Sequence, residues 1–343
     1  KNLVRATGDS RVNAQFDAQR SAALLMSGMT LQDAGFGIDD PQVGEHLITL
    51  KGEDEGIFYD TEEGQTFTVS EFLPRFEDTR FLEYPRSQLN RVLVHDALRR
   101  AGYGGRNVRI TTGLPVSYYY MPNGEKNQTL IDSKVANLRK LVKCGDLPLA
   151  KIIENTVTTE AVASFVDQLM DIDGSPSDDY EELTQVPVGV IDVGGKTTDC
   201  AVLLPGMMVD SSRSGSNDVG VLMLVEAVSA KLRAHLDLDT ALPTSAIERA
   251  LRTGSVKIYG KEQSVKEIVD EEKERLADQI MSAVRTKVGS GVDLDHVLFV
   301  GGGAIVLRDQ LLKHYPHARV PDQPEFANAR GMLKFAKHVV GGA

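Results

Sequence analysis

Apolar and polar positions change period several times along the chain. Up to residue 84, short apolar or β-branched runs at Ile48–Leu50, Ile57–Tyr59 and Thr66–Val69 alternate with glycine- and acid-rich stretches at 52–56 and 61–64. That pattern predicts an antiparallel meander with solvated acidic turns. From Ser87, a suitable N-cap, Leu89, Val92, Leu93, Leu98 and Ala101 recur at helical spacing until Gly102 ends the run. Val108–Thr112 reads as a strand broken at Gly113-Leu114-Pro115, and Asp132–Val142 as an amphipathic helix with basic residues on one face. Ile152–Val157 reads as a strand running into a helix over 160–170. The segment Asp171–Gln185 has no hydrophobic period and reads as a surface loop.

The pattern then restarts. Val188–Asp192 predicts a buried strand, and Cys200–Leu204 with Met207–Asp210 predicts a hairpin across Pro205-Gly206. Helices are predicted over 219–236, 245–253 and 265–287. A strand at Val297–Val300 runs into Gly301-Gly302-Gly303, and a helix over 326–339 closes the chain. Strands alternating with helices in two halves predict an α/β fold with a central cleft. No tandem period of solenoid type is present.

Composition narrows the chemistry. The 343 residues are 41% hydrophobic and 25% charged, which suits a globular chain with a substantial core. The formal net charge of −11 argues against a broad duplex-DNA clamp, which needs basic surface to displace counterions, so no direct nucleic-acid contact is expected. No stretch approaches the roughly 20 apolar residues of a membrane span. Lys1–Arg20 lacks the apolar centre of a signal peptide. Cys144 and Cys200 cannot make a disulfide framework, and no Cys/His cluster has metal-ligand spacing. A soluble, acidic, cytoplasmic protein without membrane contact is the expectation.

Two glycine-bearing stretches carry the chemistry. In Val190-Ile191-Asp192-Val193-Gly194-Gly195-Lys196-Thr197-Thr198-Asp199 an apolar strand ends in an acid, two glycines and two threonines before a second strand leaves. Glycines there let backbone N–H groups approach a phosphate, hydroxyls of Thr197 and Thr198 add donors, and Asp192 can order a water on Mg²⁺. Gly-Lys-Thr is not a P-loop here, because that motif needs glycine where Val190 stands and a helix where a strand follows. An ordinary Gly-rich hairpin turn is the plainer alternative. Val297–Val300 followed by Gly301, Gly302, Gly303 and Ala304 repeats the theme: the glycines permit close approach of a ligand, and a helix start favours phosphate.

Paired in this way, the two stretches resemble the phosphate-2 and adenosine motifs of the actin/Hsp70/sugar-kinase superfamily. The resemblance is nearest to the ParM/StbA plasmid-segregation group and its archaeal actin-like relatives. Thr112-Gly113-Leu114-Pro115-Val116-Ser117 resembles the strand-end motif of that group, and Lys134–Lys140 and Asn90–Leu98 resemble two of its helices. Phe326–Gly331 resembles the closing helix that returns to the first domain. The resemblance implies a two-lobed, ribonuclease H-like α/β fold with a nucleotide cleft. Residues 1–185 with 323–343 would form domain I, and 186–322 domain II.

It also implies ATP/ADP and Mg²⁺ as cofactors, ATP hydrolysis, self-association into filaments, and a DNA-binding adaptor protein on the cargo plasmid. Glu160 would position the attacking water and Asp192 the metal. Gly194, Gly195, Lys196, Thr197, Thr198 and Gly301–Ala304 would hold the phosphates and nucleoside, and Glu248 and Arg252 the ribose and adenine. Plainer readings stand beside these. Glu160 also fits an exposed carboxylate in a helical first turn, and Glu248 and Arg252 fit a solvated helix face. His95 and His235 fit packing or surface positions. The superfamily's opening Asp-x-Gly turn has no counterpart in Lys1–Ala14, and Asp33-Ala34-Gly35-Phe36-Gly37 matches its letters without a preceding strand. The expectation is that the sequence begins just after that turn. A small-molecule kinase of the same superfamily, or a nucleotide-binding scaffold without turnover, are the alternative functions.

Overall fold

Residues 56–69, 79 and 81–340 are described by the computed structural model. The expected strand at Ile48–Leu50 and the motifs at Lys1–Ala14 and Asp33–Gly37 lie outside them. Strands β1 (Ile57–Thr61) and β2 (Thr66–Val69) form the expected hairpin, with Ile57 opposite Val69. Helix α1 (Gln88–Arg100) starts where Ser87 accepts the Asn90 N–H at 3.1 Å. Strand β3 (Asn107–Leu114) leads into a single helical turn, α2 (Val116–Tyr119). Helix α3 (Gln128–Arg139) begins earlier than its apolar pattern suggests, because Asn127 caps it through the Leu130 N–H at 3.2 Å. It also ends earlier, since Lys140 turns extended and Val142 joins β1 as part of strand β4 (Val142–Lys143).

Strand β5 (Lys151–Thr159) lies parallel to β3, with Leu114 beside Thr159, and runs without a loop into helix α4 (Glu160–Leu169). Together the elements up to β5 make one lobe. It holds two small cores, one around Tyr59, Val92 and Val142 and one around Leu98, Leu138 and Ile152.

The segment expected to be a surface loop contains a short helix, α5 (Tyr180–Gln185). Leu183 is 1% exposed and packs with Val188 and Leu203, and one buried leucine in an otherwise acidic run is too little to set a period. The second lobe is built on strands β6 (Val188–Val193), β7 (Thr198–Leu204) and β8 (Met208–Asn217). Strand β8 runs well past Asp210. Its extension is polar, and the pairing shifts register between Cys200 and Val202, which hides the strand period.

Helices α6 (Leu222–His235) and α7 (Thr244–Thr253) follow, then a hairpin of β9 (Ser255–Ile258) and β10 (Lys261–Ser264) that the pattern did not predict. Its two-residue turn, Tyr259-Gly260, has φ of 47° and 78°, the left-handed pair that tight hairpins require. Helix α8 (Lys266–Val288), strand β11 (His296–Val300), helices α9 (Gly302–Val306) and α10 (Arg308–Leu311), and strand β12 (Ala318–Arg319) complete the lobe. Helix α11 (Ala327–Lys334) then continues as a wider helical turn to Val340.

The five strands lie in the order β12-β11-β6-β7-β8, with β11 parallel to β6 and β12, and β7 antiparallel to its neighbours. All six residues of β6 are buried, because both faces are covered. Ile191, Val193, Cys200 and Val202 face the large core under α6, α7 and α8. Val188, Val190, Ala201, Leu203, Leu298 and Val300 face Phe165 and Leu169 of α4 and Ala327.

Helix α4 therefore stands between the lobes, and α11 locks it there. A Cβ on Gly331 would lie 1.6 Å from the Ala163 carbonyl oxygen, so the two helices touch backbone to backbone. Beside that contact the buried Asp167 carboxylate accepts from Arg330 at 2.6 Å and from Lys334 at 2.7 Å, and Lys334 also donates to the Asp167 carbonyl. Removing one partner of a buried ion pair strands the others. Asp167→Ala is expected to lower the unfolding free energy by about 3–5 kcal/mol. Glu154→Ala, which breaks the exposed pair with Arg109, is expected to change it by less than about 1 kcal/mol. Urea unfolding of the two variants checks the contrast, and equal losses would refute it.

Candidate functional site

The site forms where β6 turns into β7. The Gly194 N–H closes the turn on the Thr197 carbonyl at 2.9 Å, and the start of α6 is pinned to the same turn. The Val221 N–H donates to the Gly194 carbonyl at 3.1 Å and the Leu222 N–H to the Gly195 carbonyl at 2.9 Å. Such an approach needs Gly220, whose Cβ would sit 2.4 Å from the Gly195 oxygen. The element after Gly195-Lys196-Thr197 is a strand, as the rejection of a P-loop requires. Thr198 is fully buried and its hydroxyl donates to the Val219 carbonyl at 2.8 Å, so it braces the turn. Lys196 is exposed at the tip, and Gly194, Gly195 and Thr197 are half-buried.

The glycine run after β11 meets this turn from the neighbouring strand. Gly301 has φ of 85°, and a Cβ there would lie 2.2 Å from Asp192 Oδ1. A side chain at 301 would therefore displace the carboxylate. Gly302 is half-buried, whereas Gly303 and Ala304 are buried, and a Cβ on Gly303 would collide with Val193 and Val221. The last two close the packing beneath the turn. Helix α9 has five residues, so its dipole adds little, and what this run supplies is close approach.

Three carboxylates converge here. The antiparallel register sets Asp192 opposite Asp199. Burial pushes the Asp192 carboxyl well above the usual carboxylate range, and the charges of Glu160 and Asp199 push it further. Asp199 is raised to about 7 by burial and by Glu160, against hydrogen bonds from Ser216 and Thr197 that favour its ionised form. Asp199 was not among the residues singled out from the sequence. The signal was present in the acid at each end of a tight turn, since such acids on paired strands must face one another.

Glu160 opens α4, where Thr159 caps the helix through the Val162 N–H at 3.2 Å, and its Cγ lies 2.5 Å from where a Cβ on Gly113 would stand. It lines a cleft of about 370 Å³ together with Gly113, Ser117, Lys196, Thr197 and Ser216.

Glu248 and Arg252 lie on α7 and do not line that cleft. Glu248 is not on a solvated face. It is 9% exposed, its Oε1 has no hydrogen-bond partner among the described residues, and burial raises its carboxyl while Arg252 opposes the shift. His95 is buried and pushed down to about 4, and His235 is exposed, so the packing and surface readings fit both. Among the described residues no group of three or more His, Cys, Asp or Glu is disposed to hold a metal ion directly. No described helix is long and apolar enough to cross a membrane.

With this geometry in place, comparison with known proteins identifies the fold. Residues 43–170 match the family model "Plasmid segregation protein ParM, N-terminal", and residues 190–313 match "Archaeal actin homologue MreB-like, C-terminal". No curated protein matches the chain. Among solved structures, the archaeal actin homologue Ta0583 in complex with ADP is 20% identical, covers 82% of this chain and 88% of its own, and has a TM-score of 0.63. A 15-stranded ParM filament from Clostridium botulinum is 19% identical, with 88% and 90% covered and a TM-score of 0.62. Bacillus thuringiensis ParM with AMPPNP is 16% identical, with 84% and 86% covered and a TM-score of 0.58. The chain has an actin-like fold, similar to ParM over residues 43–170 and to the archaeal MreB-like actin homologues over residues 190–313.

Proposed function

We propose that the chain binds and hydrolyses ATP with Mg²⁺ in the cleft between residues 1–185 with 323–343 and residues 186–322. Nucleotide state would drive head-to-tail assembly into cytoplasmic filaments for plasmid or DNA segregation. A DNA-binding adaptor would connect filament and cargo, because the acidic chain itself is a poor duplex ligand. The observation that carries this reading is the pairing of Asp192 with Asp199 across a glycine turn whose Lys196 and Thr197 line the cleft together with Glu160. Support comes from relatives of the same fold that are an ADP complex, an AMPPNP complex and a filament.

The residues fit the groups in question. Two raised, buried acids are relieved by a cation, which phosphate oxygens and water can help to hold in the absence of a protein cage. Among the described residues the buried Glu248 Oε1 has no hydrogen-bond partner, an acceptor that a hydroxyl donor such as a ribose would satisfy. When bound, Mg²⁺ supplies charge neutralisation at the phosphates. The chain's own part is to orient: Asp192 and Asp199 from the sheet, Glu160 from the start of α4 toward a water. A head-to-tail contact that does not close on itself generates a filament.

Asp192→Ala is expected to weaken Mg²⁺-dependent nucleotide binding, read by a fluorescent ATP analogue with and without EDTA; unchanged affinity would remove Asp192 from the site. Glu160→Ala is expected to leave ATP affinity and assembly nearly intact while phosphate release falls by roughly 10²-fold, the scale of a lost general base. Its filaments should persist in light scattering after ATP addition, and prompt disassembly with wild-type phosphate release would sink the role.

The third expectation concerns pH. Burial and the Glu160 charge raise the Asp199 carboxyl to about 7 in the folded protein, against an ordinary value of about 4 in the unfolded chain. A raised acid holds its proton in the folded state, so the stability it contributes is fully present below about pH 4 and is lost as pH rises through about 7. Without nucleotide, Asp199→Asn should match the wild type in melting temperature near pH 4 and exceed it at pH 8. A constant offset across that range would refute the assignment.

A further inference from the structure

The network that holds Asp199 is not confined to its own lobe. Within the second lobe, Thr197 Oγ1 donates to Asp199 Oδ2 at 3.3 Å and Ser216 Oγ donates to Asp199 Oδ1. Ser117, at the start of α2 in the other lobe, donates to Ser216 Oγ at 2.7 Å. Each hydroxyl carries one proton and an ionised carboxylate only accepts. The chain therefore has one direction toward ionised Asp199, from Ser117 to Ser216 to Asp199. Ser117 also belongs to a stiff segment. Leu114 and Val116 are 1% and 2% exposed, Pro115 lies between them, and the other end of the segment, Gly113, is pressed against Glu160.

We propose that Gly113–Ser117 is a spacer between the site's carboxylates, with Ser117 a positioning residue that acts through Ser216 to fix Asp199 relative to Glu160. Two carboxylates on different elements, one on a helix and one on a strand, need a common frame to face one reacting group, and this segment abuts Glu160 directly and reaches Asp199 through Ser216. A lone hydroxyl pair at the surface would order nothing. Here the acceptor at the end of the chain is a buried acid, so the donor's position fixes its orientation.

Part of the test rests on the ATPase reading and part does not. On the wild-type full chain, Ser117→Ala should lower kcat for phosphate release about fivefold, the scale of one net hydrogen bond, with KM for ATP within about twofold. Ser117→Thr should restore kcat, and in the Ser216→Ala background Ser117→Ala should have no further effect. An unchanged kcat, a change in KM alone, or equal effects in both backgrounds would overturn the proposal. If the wild type neither binds nor hydrolyses ATP, that reading fails by itself, and urea unfolding without nucleotide decides the spacer. Ser117 and Asp199 do not touch, yet the midpoint shift caused by Ser117→Ala should disappear in Asp199→Asn. A shift of the same size in both backgrounds would overturn the proposal.

Discussion

The site depends on one pairing register. With β6 and β7 antiparallel and joined by the four residues Gly194–Thr197, Asp192 must stand opposite Asp199 at the end of a fully buried strand pair. Two acids in that position are costly, because burial disfavours ionisation of each and the ionised form of one disfavours that of the other. The surrounding structure answers the cost asymmetrically. Asp199 receives Ser216 and Thr197, whereas Asp192 Oδ1 lies where a side chain on residue 301 would stand, so glycine there is what leaves it room. The protein thus holds two buried acids against one another, a pattern typical of functional sites.

Holding that arrangement in place is a task of packing. The sheet carrying the two acids is covered on one face by a large aliphatic core and on the other by α4, whose Phe165 and Leu169 lie on Val188, Val190 and Leu203. Helix α4 is itself fixed by the backbone contact at Gly331 and by Asp167 held between Arg330 and Lys334. A substitution far from the cleft can thereby reach Glu160, the first residue of α4, through a rigid helix.

How much of this was legible in the sequence follows the same physics. Strands buried on both faces, such as Val188–Val193 and His296–Val300, announce themselves as unbroken apolar runs, helix α1 by period and cap, and helices α7 and α8 by period. Both glycine turns were legible because tight backbone approach leaves glycine little substitute. What escaped was structure whose cause is tertiary. The far end of β8 is polar and shifted in register, the β9–β10 hairpin is mostly exposed and charged, and α5 buries one leucine. Asp199 escaped because its importance lies in what it faces across the ladder, not in its neighbours along the chain. The burial of Glu248 escaped for a similar reason, since its acidic character suits a solvated face until the packing of Ile247, Ala250 and Leu251 turns that side of the helix inward.

The placement of Glu160 says how the two lobes can move with respect to the site. Glu160 follows β5 without a loop, so it belongs by chain connection to the first lobe. Its helix, however, packs on the sheet of the second lobe, so Glu160 and the two aspartates are parts of one packed unit. Gly113 and Ser117 reach that unit from the first lobe, through β3 and the turn after it. Val116, between Gly113 and Ser117, packs in the same core as α4 and that sheet, so a widening of the cleft that preserves this core keeps the segment beside Glu160. A ligand that contacts both lobes would then favour the closed arrangement only by contacts it gains beyond that unit, because the carboxylates and the segment that aligns them already stand together.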